Sequence, residues 1–352
     1  LEKPGKPGFF VINPSVFRSL PVMKICIITE ASISKGFGHL TRMMAIYQVF
    51  EIHGIVPVLI VNGDTSINPL LKNCQAHVFD WIEQPEYLTE IIQGSDIVVI
   101  DSYLAGLDLY RAIRQHTKIA VYYDDNNRLA YPPGIVINGN IHAKHLKYPS
   151  IEGVEYLLGV EYLPMRKEFW DLPARIIHKE LTSIMLTFGG DDFRNLTPVV
   201  LSIIKKKFPT LQKNVIIGGG YKNIDQIKKT ADQNTNLIYL PDAGLMKKTM
   251  LESDIAISAG GQTLYELAAT GTPAMSILTA DNQSGNVAYC EKAGFTIHLG
   301  NWNDQNLSSV LLSNLESMIS YEKRQSMSHM GQNLIDGQGV FRIYRELMKK
   351  IQ

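Results

Sequence analysis

The sequence predicts an α/β protein made of two tandem doubly wound, Rossmann-like domains with a cleft between them. Three observations lead there. Short, continuous apolar runs rich in β-branched residues alternate with helical periods, the pattern of a parallel sheet covered on both faces. The apolar runs end in Gly, Asp or Asn, and the alternation starts twice, at Lys24 and again near Ser183. A chain of 352 residues, 45% hydrophobic and 19% charged, has material for two ordinary cores.

The elements follow in order. Residues 1–22 contain Pro4, Pro7, Pro14 and Pro21 and no clean period. They lack the basic, apolar and small-residue regions of a signal peptide. They are expected to be an upstream extension, a cloning remnant or the tail of a longer polypeptide. Residues 25–29 read as the first strand, Gly36-Phe37-Gly38 as a turn, and 40–53 as a helix with Leu40, Met43, Met44, Ile46, Tyr47 and Phe50 on its apolar side. Strands are expected at 56–61, 76–79, 97–100, 118–123, 135–138 and 155–159, with a helix at 107–115. The stretch 169–180, with Pro173 and several charges, is the expected link, so the domains are drawn as 23–172 and 173–352. In the second domain strands are expected at 183–188, 215–217, 237–240, 255–258, 274–278 and 296–299. Helices are expected at 195–207, through Leu251, and at 263–270, 286–292, 305–320 and 335–350. The last helix is free to pack back on the first domain.

Composition narrows the function. Lys+Arg and Asp+Glu both number 34, so no global field draws the protein to nucleic acid or anionic lipid. No apolar run reaches membrane-spanning length. Cys26, Cys74 and Cys290 are too scattered for a disulfide framework or a zinc site. His142 and His145 lack a partner ligand, and adjacent aspartates such as Asp124-Asp125 point opposite ways on an extended chain. The expectation is a cytoplasmic protein, monomeric or weakly homo-oligomeric, with a small-molecule partner and no metal or cofactor.

In an open parallel sheet, ligands bind beyond the carboxyl ends of the strands. Gly36-Phe37-Gly38-His39 follows the first strand and opens a helix, where glycines allow close approach and unpaired N–H groups attract anions. Thr41 stands where the dinucleotide fingerprint needs Gly. His39 at a helix start reads as a neutral base, because the dipole disfavours imidazolium, or as a local cap. Arg42, one turn on, reads as a phosphate or sugar ligand or a surface charge. Gly260-Gly261-Gln262 enters another helix without the Walker lysine, and its amides suit a diphosphate. Glu266, one turn in, reaches toward a ribose diol or stabilises the helix start. Gly189-Gly190, Asp101 and Asn282-Gln283 also end strands. Asn282 offers donors and acceptors to a sugar or caps a helix.

Gly-Gln-Thr-Leu-Tyr-Glu-Leu at 261–267, Gly271-Thr272-Pro273 and Asn282-Gln283 together resemble the nucleotide-sugar half of glycosyltransferase-B enzymes, such as the family that adds N-acetylglucosamine to the lipid-linked peptidoglycan precursor. The amino half resembles the UDP-sugar hydrolases of the pseudaminic acid pathway. It carries Gly36-Phe37-Gly38-His39-x-x-Arg42, Ile100-Asp101-Ser102-Tyr103, Asp124-Asp125, Ile137-Asn138-Gly139-Asn140, His142-Ala143-Lys144 and Arg166-Lys167-Glu168-Phe169. Ser102 departs from the histidine familiar there. The resemblance implies release of UDP from UDP-2,4-diacetamido-2,4,6-trideoxy-β-L-altropyranose, with inversion and without metal. It implies His39 as the residue that activates water, with Tyr103 and Asn282 beside the reaction. It also implies Gly260, Gly261 and Gln262 near the phosphates, Glu266 on the ribose, and main chain at Leu245-Met246 facing the uracil. The same parts also suit an inverting glycosyltransferase or a non-catalytic nucleotide-sugar binding protein.

Overall fold

The computed structural model describes residues 23–32 and 36–351. The expected extension at 1–22 lies outside them. The first domain runs β1 (Ile25–Ala31), α1 (Gly38–Ile52), β2 (Val58–Gly63), α2 (Asn68–Leu71), β3 (Ala76–Val78), α3 (Pro85–Ile92), β4 (Ser95–Asp101), α4 (Leu107–His116), β5 (Thr117–Tyr123), β6 (Gly134–Asn138) and β7 (Val154–Leu158). The second runs β8 (Ser183–Thr187), α5 (Leu196–Lys207), β9 (Gln212–Ile217), α6 (Ile224–Thr230), β10 (Thr235–Tyr239), α7 (Ala243–Glu252), β11 (Ile255–Ala259), α8 (Gln262–Ala269), β12 (Ala274–Leu278), α9 (Ser284–Lys292), β13 (Thr296–Asn301), α10 (Leu307–Ser317), α11 (Tyr321–Leu334) and α12 (Gly339–Lys349).

Each domain holds one parallel sheet. The strand order is β3-β2-β1-β4-β5-β6-β7 in the first and β10-β9-β8-β11-β12-β13 in the second. β1 and β4 pair in parallel with Thr29 beside Asp101. The central strands are buried on both faces, as in β1, where every residue is buried. That is why they read as unbroken apolar runs rather than as alternation. One face of the first sheet packs on α1 through Leu40, Met43, Ile46, Tyr47 and Phe50, while Met44, which the helical period also selected, is only partly buried against this core.

The crossover between the sheets is shared. Leu163, Met165 and Phe169 lie in the second domain's core, while Tyr162 and Trp170 pack against the first. The boundary drawn at 172/173 therefore falls inside an intertwined stretch. At the far end α12 returns to the first domain, where Val340, Ile343 and Leu347 complete the core under α1. The chain thus crosses between the domains twice.

Candidate functional site

Doubly wound sheets leave a crevice where the strand order reverses. In the first sheet that point lies between β1 and β4, in the second between β8 and β11. The predicted loops sit there: Gly36, Gly38 and His39 after β1, Asp101 at the end of β4, Gly189 and Gly190 after β8, Gly260 and Gly261 after β11. Gly36 has φ +80, a left-handed conformation that admits the tight bend before α1.

His39 stands in the first turn of α1, its side chain 15% exposed. Its Nδ1 is 2.8 Å from Asp101 Oδ1. A carboxylate only accepts, so Nδ1 carries the hydrogen and Nε2 is the basic nitrogen. Nε2 has no partner among the described residues. Burial pulls the His39 pKa down, but the charge and hydrogen bond of Asp101 outweigh it and the net shift is upward. The helix-dipole expectation of a histidine biased to neutrality is thus corrected: a carboxylate in contact is stronger than the dipole of one helix end.

Arg42 and Asp101 are paired with each other. Arg42 donates from Nε to Asp101 Oδ2 at 2.8 Å and from Nη2 to Asp101 Oδ1 at 2.7 Å. Its Nη1 donates to Asp125 Oδ1 at 2.6 Å. Burial opposes the charge of Arg42, yet the two aspartates raise its pKa well above the ordinary value. Burial likewise works against ionised Asp101 and Asp125, and Arg42 overrides it and lowers both pKa values. Asp101 is 1% exposed, with its oxygens spent on these donors. Both residues belong to the hydrogen-bonded group that holds His39.

Tyr103 is 43% exposed. Its hydroxyl donates to Asp125 Oδ2 at 2.8 Å, and its ring stands edge-on to His39 with centroids 4.6 Å apart. Buried Glu30 accepts from the Ser102 hydroxyl and, at 2.9 Å, from the Tyr103 N–H. Glu30 escaped sequence reasoning because it lies inside a strand, and only the fold brings it under the β4 loop.

On the facing domain, the N–H groups of Gly261, Gln262 and Thr263 open α8 with no partner among the described residues. Gln262 Nε2 lies 3.5 Å from Pro164 O. Gly260 is tied down: its N–H donates to Gln283 Oε1 at 3.2 Å, and a Cβ there would come within 2.3 Å of Val287. The same Gln283 oxygen accepts from Thr279 N and Oγ1, both at 3.1 Å. Gln283 Oε1 therefore braces two loops. Its neighbour Asn282 is exposed and has no partner among the described residues. Beside it a cavity of about 470 Å³ is lined by Arg194, Thr279, Asp281, Ser284, Asn301 and Trp302.

Glu266 is 4% exposed, and Arg166 donates to its Oε1 from Nε at 3.0 Å and Nη2 at 2.6 Å. Burial raises the Glu266 pKa and Arg166 opposes this without cancelling it. At Leu245-Met246 the main-chain N–H groups are already taken. Leu245 N donates to the Asp242 side chain at 2.7 Å, Met246 N to Asp242 O at 2.9 Å, and the Met246 side chain is in the core. The N–H groups of Ala243 and Gly244 are the ones left without a partner among the described residues. Asp242, an N-cap residue three positions before Leu245, was the signal for this.

The domains meet next to the site. Ile141 N donates to Tyr265 OH at 3.0 Å, and Tyr265 OH donates to Asn286 Oδ1 at 2.7 Å. His142 Nδ1 is 3.0 Å from the same Asn286 oxygen. Asn140 Nδ2 donates to Asp125 Oδ1 at 2.8 Å.

Comparison with known proteins agrees with this architecture. Residues 183–336 match the family model described as the glycosyltransferase family 28 C-terminal domain. The chain is 23% identical over 331 residues to the spore coat polysaccharide biosynthesis protein SpsG of Bacillus subtilis, covering 91% of this chain and 96% of that one. It is 26% identical over 272 residues to a Helicobacter pylori protein, covering 76% of this chain. That protein is named pseudaminic acid cytidylyltransferase and UDP-2,4-diacetamido-2,4,6-trideoxy-beta-L-altropyranose hydrolase. The chain spans about half the length of that protein and of another curated relative, 46% and 54%. Among solved structures, Acinetobacter baumannii MurG superposes with a TM-score of 0.66 at 15% identity, covering 93% of this chain and 99% of that one. The fold is glycosyltransferase-B. No helix among the described residues is long and apolar enough to cross a membrane.

Proposed function

We propose that this protein is a nucleotide-sugar hydrolase that releases UDP from a UDP-linked diacetamido-trideoxy sugar. The observation that carries the reading is the His39–Asp101 pair at the switch point of the first sheet, with a second glycine loop and its free amides at the switch point of the other. The similarity to the Helicobacter pylori protein, whose name includes such a hydrolase, supports the choice of substrate.

In this mechanism UDP lies on the second domain. The amides at 261–263 and the start of α8 face the diphosphate, Glu266 Oε2 takes the ribose diol, and Ala243-Gly244 faces the base. Asn282, Tyr103 and the neighbouring cavity hold the sugar. Nε2 of His39 takes a proton from water as the water oxygen bonds to the anomeric carbon. The bond from that carbon to the phosphate oxygen breaks, and its electron pair leaves with UDP. Attack opposite the leaving group inverts the centre. Amides and helix dipole balance the charge that grows on the diphosphate. A general base contributes roughly 10²–10⁴-fold.

His39→Asn tests the assignment: kcat falls by about 10²–10⁴ and UDP affinity stays as it was. Undiminished turnover removes His39 from the mechanism. The base works only unprotonated, so activity rises as pH climbs through the His39 pKa. That midpoint lies above the ordinary histidine value of about 6.5 because Asp101 raises it. The match to a glycosyltransferase domain favours one second reading, in which the same base deprotonates an acceptor hydroxyl. Release of free sugar with no acceptor present separates the two.

A further inference from the structure

We infer that Tyr265 is a positioning residue that couples the nucleotide-holding helix α8 to His39 across the domain interface. The inference rests on His39 being the base, and its observations are independent of the glycine loops. Tyr265 is 1% exposed and sits one turn into α8. Its ring belongs to the second domain's core, but its hydroxyl works at the boundary. That hydroxyl accepts from Ile141 N at 3.0 Å, donates to Asn286 Oδ1 at 2.7 Å and lies 3.4 Å from Asn140 Oδ1.

Asn140 continues the path. Its Nδ2 holds Asp125 Oδ1 at 2.8 Å, and its own N–H is fixed by Asn138 Oδ1 at 3.0 Å. Asp125 holds Arg42 Nη1 at 2.6 Å and the Tyr103 hydroxyl at 2.8 Å. Arg42 holds Asp101, and Asp101 holds His39. The path therefore runs from the Tyr265 hydroxyl to the Ile141 N–H, along the backbone to adjacent Asn140, and from its side chain through Asp125, Arg42 and Asp101 to the ring nitrogen of the base.

The junction is also filled sterically. Gly285, at the start of α9, packs so closely on the His142 ring that a Cβ there would sit 3.0 Å from it. His142 joins Asn286 from the first domain, so Asn286 gathers Tyr265 and His142 on one oxygen. Removing the Tyr265 hydroxyl strands the Ile141 N–H and loosens Asn140, so Asp125 loses one of its three side-chain donors and keeps Arg42 and Tyr103. Burial of unpaired groups makes this loss felt rather than absorbed by water. The groups facing His39 are Asp101 from β4, Arg42 from α1, Asp125 after β5 and Tyr103 after β4. Of these, Asp101 raises the His39 pKa most and Asp125 adds a smaller push the same way, and Asp125 is the one that Asn140 anchors.

Tyr265→Phe keeps the ring in the core and deletes only the hydroxyl. The expected result is a kcat roughly ten- to a hundredfold lower, as for a slightly misplaced catalytic group, with UDP affinity unchanged by calorimetry. The His39 titration, followed by NMR on protein with labelled histidine and no substrate, moves to lower pH because Asp125 recedes. Asn140→Ala gives the same pair of changes, and the double variant loses no more than the worse single one. The NMR readout needs no turnover, so a protein that hydrolyses no UDP-sugar still tests the coupling. A melting temperature that drops while the His39 titration stays in place overturns the inference, and so do additive losses in the double variant.

Discussion

Asp101→Asn is the most informative single change to the base. Asp101 accepts from His39 Nδ1 at 2.8 Å, Arg42 Nε at 2.8 Å and Arg42 Nη2 at 2.7 Å. An asparagine amide has one acceptor oxygen, so either His39 or Arg42 meets an NH₂ group instead. Arg42 keeps Asp125, so folding loses about 1–3 kcal/mol rather than the larger cost of a buried charge left with no partner. The effect on the base is greater. Nδ1–H is no longer fixed by a carboxylate, both tautomers become accessible, and the imidazolium formed during attack loses its counter-charge. kcat falls by roughly 10²–10⁴. The pH profile carries the sign. In the parent, burial and Arg42 lower the His39 pKa while Asp101 and Asp125 raise it. Without the charge of Asp101 the lowering influences gain, so the acid limb of kcat shifts to lower pH even as its plateau drops. The assay is coupled detection of UDP over about four pH units centred on the ordinary histidine value, with UDP affinity measured alongside. A kcat within about threefold of the parent, ~0.6 kcal/mol in barrier, or an acid limb that does not move, refutes the His39–Asp101 assignment.

Other expectations follow from the second domain. Gly261→Ala adds a Cβ with nothing within 4 Å, so the melting temperature holds while UDP affinity falls; equal affinity takes the diphosphate away from this loop. Gly260→Ala drives a Cβ to 2.3 Å from Val287 and lowers stability itself, read by thermal melting. Glu266→Gln weakens binding of UDP more than that of 2′,3′-dideoxy-UDP; equal weakening of both removes the ribose contact. Incubation with a chelator leaves UDP release unchanged, and restoration by added magnesium after a loss contradicts the metal-free mechanism.

Much of this was legible in the sequence, for physical reasons. Strands buried on both faces are unbroken apolar runs, so β1, β4, β8 and β11 announce themselves, and with them the loops that follow. The α11 segment was not predicted, because it has no apolar stripe. It buries Arg324, Ser328 and Gly331 beside Met327, and the Arg324 guanidinium donates to the carbonyls of Met318, His178 and Lys179. Candidate residues were located by their place after strands, but their partners were not. Arg42 and Asp125 are 83 positions apart and Ile141 and Tyr265 124 apart. No local pattern encodes such pairs: strand order brings the first together, and the packing of one domain on the other brings the second. That is why Arg42, Asp101 and Gln283 read as ligands from the sequence while the side chains and loops they hold stayed out of view.

The central claim is that water, activated by His39, attacks the anomeric carbon. Turnover of the UDP-linked sugar in ¹⁸O-labelled water, read by mass spectrometry of both products, tests it most directly. The account predicts the heavy oxygen in the released sugar and none in UDP; label in UDP means attack at phosphorus and contradicts it.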